Sequence, residues 1–233
     1  MNFDTLKSVK RFDEGLREID GIGPLHVSLE NAWITCKRHP FGNHLFPAVL
    51  DMQLHVARLN VEIASIAKRI NADIHGNKET DCLSDDGELA ERLDLFGAAT
   101  SFVLRYRAVW DKLMGVIVLL LEPDKYQKFV KSNSRKKNFV KILKERGGQW
   151  PIYAQKVGEI IEIFDSQFRT AEAHGSGKLR KLAFCRVSAD SNPFEDLFWA
   201  CNSLNDQLLA LQQIFKQFAE QLHSPDATGD AGH

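Results

Sequence analysis

The stretch LFPAVLDMQLHVARLNVEIASIAKRI, residues 45–70, decides the fold class of this chain. Its apolar positions Leu45, Val49, Met52, Val56, Leu59, Ile63, Ile66 and Ile70 advance by alternating steps of four and three. A helix turns once in about 3.6 residues, so this spacing draws one continuous apolar seam along a helix, the pattern by which long helices pack on each other. Asp51, His55, Arg58, Glu62, Ser65 and Arg69 hold a polar stripe on another face. Strands would need side chains alternating in and out. No such β-branched runs occur, and no Asn-Gly or Asp-Gly turn is flanked by them.

The same seam recurs near the C-terminus in Leu197, Cys201, Leu204, Leu208, Leu211, Phe215, Phe218 and Leu222. Asn192 can cap that helix, Pro193 suits its first position, and Glu195 completes an arrangement like a capping box. Between the two seams a third long helix is expected over Glu88–Leu121, after the loop Ser84-Asp85-Asp86-Gly87. One of its faces carries Leu89, Leu93, Phe96, Val103, Trp110, Met114, Ile117 and Leu121, and a second carries Phe102, Val109, Leu113, Val116 and Leu120. From Leu113 onward it is apolar all round, so that half is either the centre of the bundle or also faces a second subunit.

Shorter pieces complete an all-α, up-and-down bundle of long antiparallel helices. A charged helix should end before Gly21-Ile22-Gly23-Pro24, and a short helix should run from Leu25 to Lys37. Segments follow after Pro123 and near Arg135, and then a helix from Pro151 to Ala173. Residues 1–23 form an N-terminal arm, 24–222 the bundle, and 223–233 a disordered polar tail.

Composition excludes several classes. The 233 residues are 44% hydrophobic, enough for a core, and their net charge of −1 names no polyanionic partner. Cys36, Cys82, Cys185 and Cys201 form no CxxC pair, which fits a reducing, cytoplasmic setting better than a zinc site or disulfide framework. The first residues, MNFDTLKSVKRFDEG, are too charged to be expected as a secretory h-region. The longest apolar run, Leu113–Leu121, is about half of what spans a bilayer. His39, His44 and His55 lack zinc-ligand spacing. Gly21-x-Gly23 and Gly175-x-Gly177 follow no strand and precede no GK[ST], so neither is a phosphate loop. No cofactor or metal is expected.

Charge is distributed unevenly. The stretch KYQKFVKSNSRKKNFVKILKER, residues 125–146, holds Lys125, Lys128, Lys131, Arg135, Lys136, Lys137, Lys141, Lys144 and Arg146 against Glu145 alone, with Tyr126, Phe129 and Phe139 interleaved. Lys178, Arg180, Lys181 and Arg186 make a second basic cluster. Concentrated positive charge attracts phosphates and releases counterions on binding, so Lys125, Lys128, Arg135, Lys136, Lys137, Lys141, Lys178 and Arg180 are expected RNA contacts. The competing reading is a solvated helix face whose aromatics pack inward.

The Pro151 helix ends in Arg169-Thr170-Ala171-Glu172-Ala173-His174, with Gly175 placed to stop it. His174 in a last helical turn would be favoured in its protonated form, and an imidazole titrating near neutrality can move a proton to or from a hydroxyl. An arginine can grip a phosphate by two hydrogen bonds. Positions five apart lie about 140° apart on an ideal helix, so Arg169 and His174 converge only if the arginine reaches round or the helix breaks. Otherwise Arg169 pairs with Asp165 and His174 caps the helix. Arg38/His44 and Arg69/His75 have similar spacings; Arg169/His174 is preferred for its late position and its neighbours Lys178 and Arg180. Arg107, on the apolar seam between Val103 and Trp110, needs a partner, and Asp111 lies one turn on; either could instead orient His174.

An Arg-x4-His motif late in an all-α bundle, in the wording FRTAEAHGSGKLRKLAF after SFVLRYRAVWDKL, resembles the HEPN superfamily (higher eukaryote and prokaryote nucleotide-binding domains). The resemblance covers roughly residues 45–222. It implies a metal-independent endoribonuclease, of the kind often used as toxins or in defence, in which paired subunits bring two Arg/His sites into one cleft. On that likeness Arg169 would bind phosphate and His174 would be the acid/base, with Arg107, Asp111 and Glu172 in support and a homodimer as the working form. The alternative is a non-catalytic RNA- or protein-binding scaffold of the same architecture, and a purely structural or partner-binding bundle using Leu113–Leu121 stays open. Thr170 stands where that family often has Asn, Asp or His. Ser176 replaces the tyrosine of members paired with an antitoxin, so an antitoxin partner has no support.

Overall fold

The structure is a computed structural model that describes residues 42–75, 86–173 and 177–184, together with scattered positions from 196 to 216. The expected arm 1–23, the short helix 25–37, the cap at 192–195 and the tail 223–233 lie outside the described residues. Among the described residues every regular element is helical and none is a strand. The order is α1 (Gly42–His75), α2 (Asp86–Leu121), α3 (Pro123–Val130), α4 (Arg135–Arg146) and α5 (Trp150–Phe164). A π turn (Asp165–Arg169) then leads into α6 (Thr170–Ala173), a 3-10 turn (Lys178–Arg180) and α7 (Lys181–Phe184).

Helices α1 and α2 are 34 and 36 residues long, roughly 50 Å each. They lie antiparallel, and a ladder of ion pairs fixes their register. As the α1 acid moves from Asp51 to Glu62 to Asp73, its α2 partner moves back from Lys112 to Arg105 to Arg92. Eleven residues make three turns with only about 20° left over, so acids at that spacing stay on one edge of the helix. Glu62 accepts from Arg105 Nε at 3.2 Å and from Arg58 Nε at 3.0 Å. The hydrogen bonds that the Arg92 guanidinium donates to Asp73 raise its pKa further.

Every predicted seam position of α1 is buried. On α2 the two expected faces fare differently. Phe102, Val109, Leu113, Val116 and Leu120 form one buried seam, which extends toward the N-terminus through Tyr106, Ala99, Leu95, Arg92 and Glu88; on the other expected face Val103, Trp110, Met114, Ile117 and Leu121 are buried and Phe96 is partly so. Leu89 and Leu93, expected on a buried face, are exposed. The charged Arg92 and Glu88 hold the seam positions there instead, and the burial of Arg92 is tolerated because it is paired with Asp73.

Every residue from Leu113 to Leu121 is buried within the chain. Helix α2 touches α1, α3, α4, the π turn, the 3-10 turn and α7, so it is the central helix. The second-subunit explanation of its apolar half is therefore unnecessary, and the Leu113–Leu121 surface is not open to a partner. Tyr106 marks the centre. Its ring lies 4.1 Å from that of Phe164, and its hydroxyl donates to the Ala200 carbonyl at 2.8 Å. The C-terminal positions Leu197, Ala200, Leu204, Gln207, Leu211 and Ile214 are helical and buried at heptad spacing. Of the expected C-terminal seam, Leu197, Leu204 and Leu211 are among them; Cys201, Leu208, Phe215, Phe218 and Leu222 lie outside the described residues or side chains.

Pro123 opens α3, where its missing N–H costs nothing. Gly147 and Gly148, at φ of 77° and 60°, adopt the left-handed region that glycine alone enters freely, and they reverse the chain between α4 and α5. Those two helices lie antiparallel, as the contacts of Lys136 with Glu162 and of Val140 with Gly158 require.

Candidate nucleic-acid interface

The helix expected over Pro151–Ala173 does not stay α-helical. At Asp165–Arg169 it widens into a π turn, closed by the Thr170 N–H donating to the Asp165 carbonyl, and resumes as α6. Phe164 and Phe168 anchor that stretch in the core, with ring centroids 5.2 Å apart. A π turn inside an α-helix often accompanies a functional site.

At this turn the sequence-predicted Arg107 and Arg169 come together through Asp165, and Asp111 joins them through Arg107. Arg107 Nη1 lies 2.6 Å from Asp111 Oδ1, and its Nε lies 3.4 Å from Asp165 Oδ2. Arg169 Nη1 lies 3.8 Å from the same oxygen, one turn away on its own helix. Arg135 reaches Asp111 at 4.0 Å from the start of α4. Asp165 Oδ1 is buried without a hydrogen-bond partner. Three guanidinium groups thus share two carboxylates. Arg169 is the most exposed member, with about half its side chain open to solvent.

The pairing of Arg169 with Asp165 is the local alternative that the sequence offered. Asp165, absent from the predicted site, is its hub, and its position four residues before Arg169 was the available signal. His174 and the side chain of Glu172 lie outside the described residues. Of the rival spacings, Arg69 is exposed on α1, whereas Arg38 and the side chain of His75 lie outside what is described.

The basic stretch is partly neutralised by acids from neighbouring elements, so Glu145 is not its sole counterweight. Lys125 pairs with Glu145 at 3.0 Å and Glu122 at 3.5 Å, Lys136 with Glu162 at 2.9 Å, and Arg146 with Glu122 at 2.9 Å. Lys178 pairs with Asp196 at 2.9 Å. The Lys125 bond holds the Glu145 carboxyl below its usual range, with Lys141 and Lys128 close enough to add to the effect. Lys136 does the same to Glu162.

Lys128, Lys131, Lys137, Lys141, Lys144 and Arg180 are exposed and have no acidic partner among the described residues. On α4, Lys137, Lys141 and Lys144 fall within ~60° of one another, opposite the buried Phe139, Ile142 and Leu143. The aromatics interleaved with these cations face inward. Phe129 and Phe139 are buried, and Tyr126 packs partly buried against the core. They are not available to stack on bases.

Among the described residues no group of three or more His, Cys, Asp or Glu could hold a metal ion. Within the same set, no helix is long and apolar enough to cross a membrane. Fold and surface together define an all-α helical protein with a lysine stripe on one short helix. Comparison with protein families, with curated proteins and with solved structures finds no match to this chain.

Proposed function

We propose that this protein binds RNA through the lysine face of α3 and α4. The observation that carries this reading is the exposed stripe Lys137, Lys141 and Lys144, flanked by Lys128, none of them ion-paired with an acid among the described residues. Lysines four apart on a helix repel each other by about 0.2–0.5 kcal/mol, so the stripe is mildly costly to the free protein. A polyanion repays that cost by releasing its counterions onto solvent. Cations elsewhere at the same helix surfaces, such as Lys125, Lys136 and Arg146, are already held by carboxylates and contribute less.

The test is titration of labelled single-stranded RNA with the whole chain and with a variant carrying Lys137→Gln, Lys141→Gln and Lys144→Gln. The expected result is a loss of about tenfold or more in affinity at low salt. Equal affinity would make the stripe a solvated face.

A second reading, RNA cleavage at Arg169 with His174, draws support from the convergence of Arg107 and Arg169 on Asp165, with Asp111 held by Arg107, and from the HEPN resemblance. Incubation of RNA in excess EDTA with the protein, Arg169→Ala and His174→Ala tests it. Cleavage lost in both variants supports it, and equal cleavage by all three proteins rejects it.

A further inference from the structure

Between α4 and α5 runs an open groove of about 340 Å³, floored by Val140 and Gly158. Its volume lies in the range of small-molecule sites. One wall carries Lys137 and Lys144, neither with an acid partner among the described residues; the other carries Gln155 and Glu159. The Lys136–Glu162 pair closes one end. Gln155 Nε2 donates to Glu159 Oε1 at 2.9 Å, which leaves Glu159 Oε2 and the Gln155 carbonyl oxygen as acceptors. Gly158 adds no side chain to the floor, where a Cβ would make ordinary contact with Val140 Cγ2 at 3.6 Å.

From this lining we infer that the groove is a nucleotide subsite selective for guanine. The inference rests on the RNA-binding reading above and names the base that the strand presents beside the lysines. A nucleotide is anionic at one end and offers a flat, largely apolar ring at the other. Lys137 and Lys144 suit the phosphate, and the Val140–Gly158 floor suits the ring. On the far wall the Glu159 carboxylate presents two acceptor oxygens side by side, while the Gln155 amide keeps its carbonyl oxygen and one N–H. Guanine sets two adjacent donors, N1–H and N2–H2, on one edge, which a carboxylate can accept together. Adenine and cytosine present one amino group beside an acceptor, and uracil presents a single N–H between two carbonyls. Edge contacts of this bidentate kind typically discriminate by about tenfold or more.

The experiment measures binding of GMP, AMP, CMP, UMP and inorganic phosphate to the full chain, and of RNA oligomers with and without guanine. GMP and guanine-containing RNA are expected to bind about tenfold tighter than the rest. Gly158→Leu, which fills the groove without changing charge, is expected to remove that preference. So is Glu159→Gln, an exposed substitution that exchanges one acceptor for a donor and leaves the core untouched. Equal affinity for the four nucleotides, full competition by inorganic phosphate, or a preference that survives Glu159→Gln overturns the inference. RNA binding that is salt-sensitive but indifferent to base rejects the groove alone. Selective GMP binding without RNA binding keeps the groove and rejects the strand reading.

Discussion

Arg107 on α2 lies 3.4 Å from Asp165 in the π turn, and this contact joins the central helix to the one segment where the α5 helix changes its winding. Asp165 is also the acid beside Arg169, so one carboxylate governs both guanidinium groups. Asp165→Ala is expected to lower stability by about 1–3 kcal/mol, because Arg107 is mostly buried and keeps only Asp111. The same change leaves Arg169 without its carboxylate, so RNA affinity should hold or rise. Urea unfolding and RNA titration of the one variant measure both. Unchanged stability would mean that the contact does not hold the turn.

The ion-pair ladder gives a second expectation. Arg92 and Asp73 are nearly buried, with 8% and 10% of their side chains exposed. Asp73→Ala leaves a buried guanidinium without this partner and should destabilise the fold by about 3–5 kcal/mol. The exposed Lys112–Asp51 pair should contribute less than about 1 kcal/mol. Chemical denaturation of Asp73→Ala and Asp51→Ala side by side checks the contrast.

Tyr106→Phe removes the hydroxyl that donates to the Ala200 carbonyl and leaves that acceptor without this donor. A loss of about 1–3 kcal/mol is expected, with the aromatic contacts kept. If the variant is as stable as the parent, the C-terminal segment is held to α2 by packing alone.

His55 supplies the pH dependence. Burial, then the charge of Lys112, lowers its pKa from 6.5, while Asp51 opposes the shift and Arg105 adds to it. The folded state therefore binds this proton less readily than the unfolded chain. Its contribution is fully present above about pH 6.5 and is lost as pH falls toward the folded pKa. His55→Gln should lose less stability than the parent between pH 7.5 and pH 5.5. Parallel stability curves over that interval would contradict the assignment.

Much of this architecture was legible in residues 45–70, where apolar spacing alone gave the α1 seam and hence the helical class. The first half of α2 departs from its apolar periodicity because Arg92 and Glu88 occupy seam positions while Leu89 and Leu93 are exposed. Periodicity counts only apolar residues, and the buried salt bridge that admits Arg92 is a tertiary fact. For the candidate interface the run of cations was plain. Which of them were free was not, since Glu122, Glu162 and Asp196 reach them from other elements. Arg107, Arg169 and Asp111 were legible as chemistry, but the meeting of the two arginines at Asp165 depends on a π turn that no spacing rule announces.

The most direct measurement of the central claim is the slope of log affinity for single-stranded RNA against log salt concentration. Each phosphate neutralised contributes about 0.7 to that slope for single strands. Replacing Lys137, Lys141 and Lys144 with glutamine should make it shallower by about 2. A slope unchanged by the three substitutions would contradict the account.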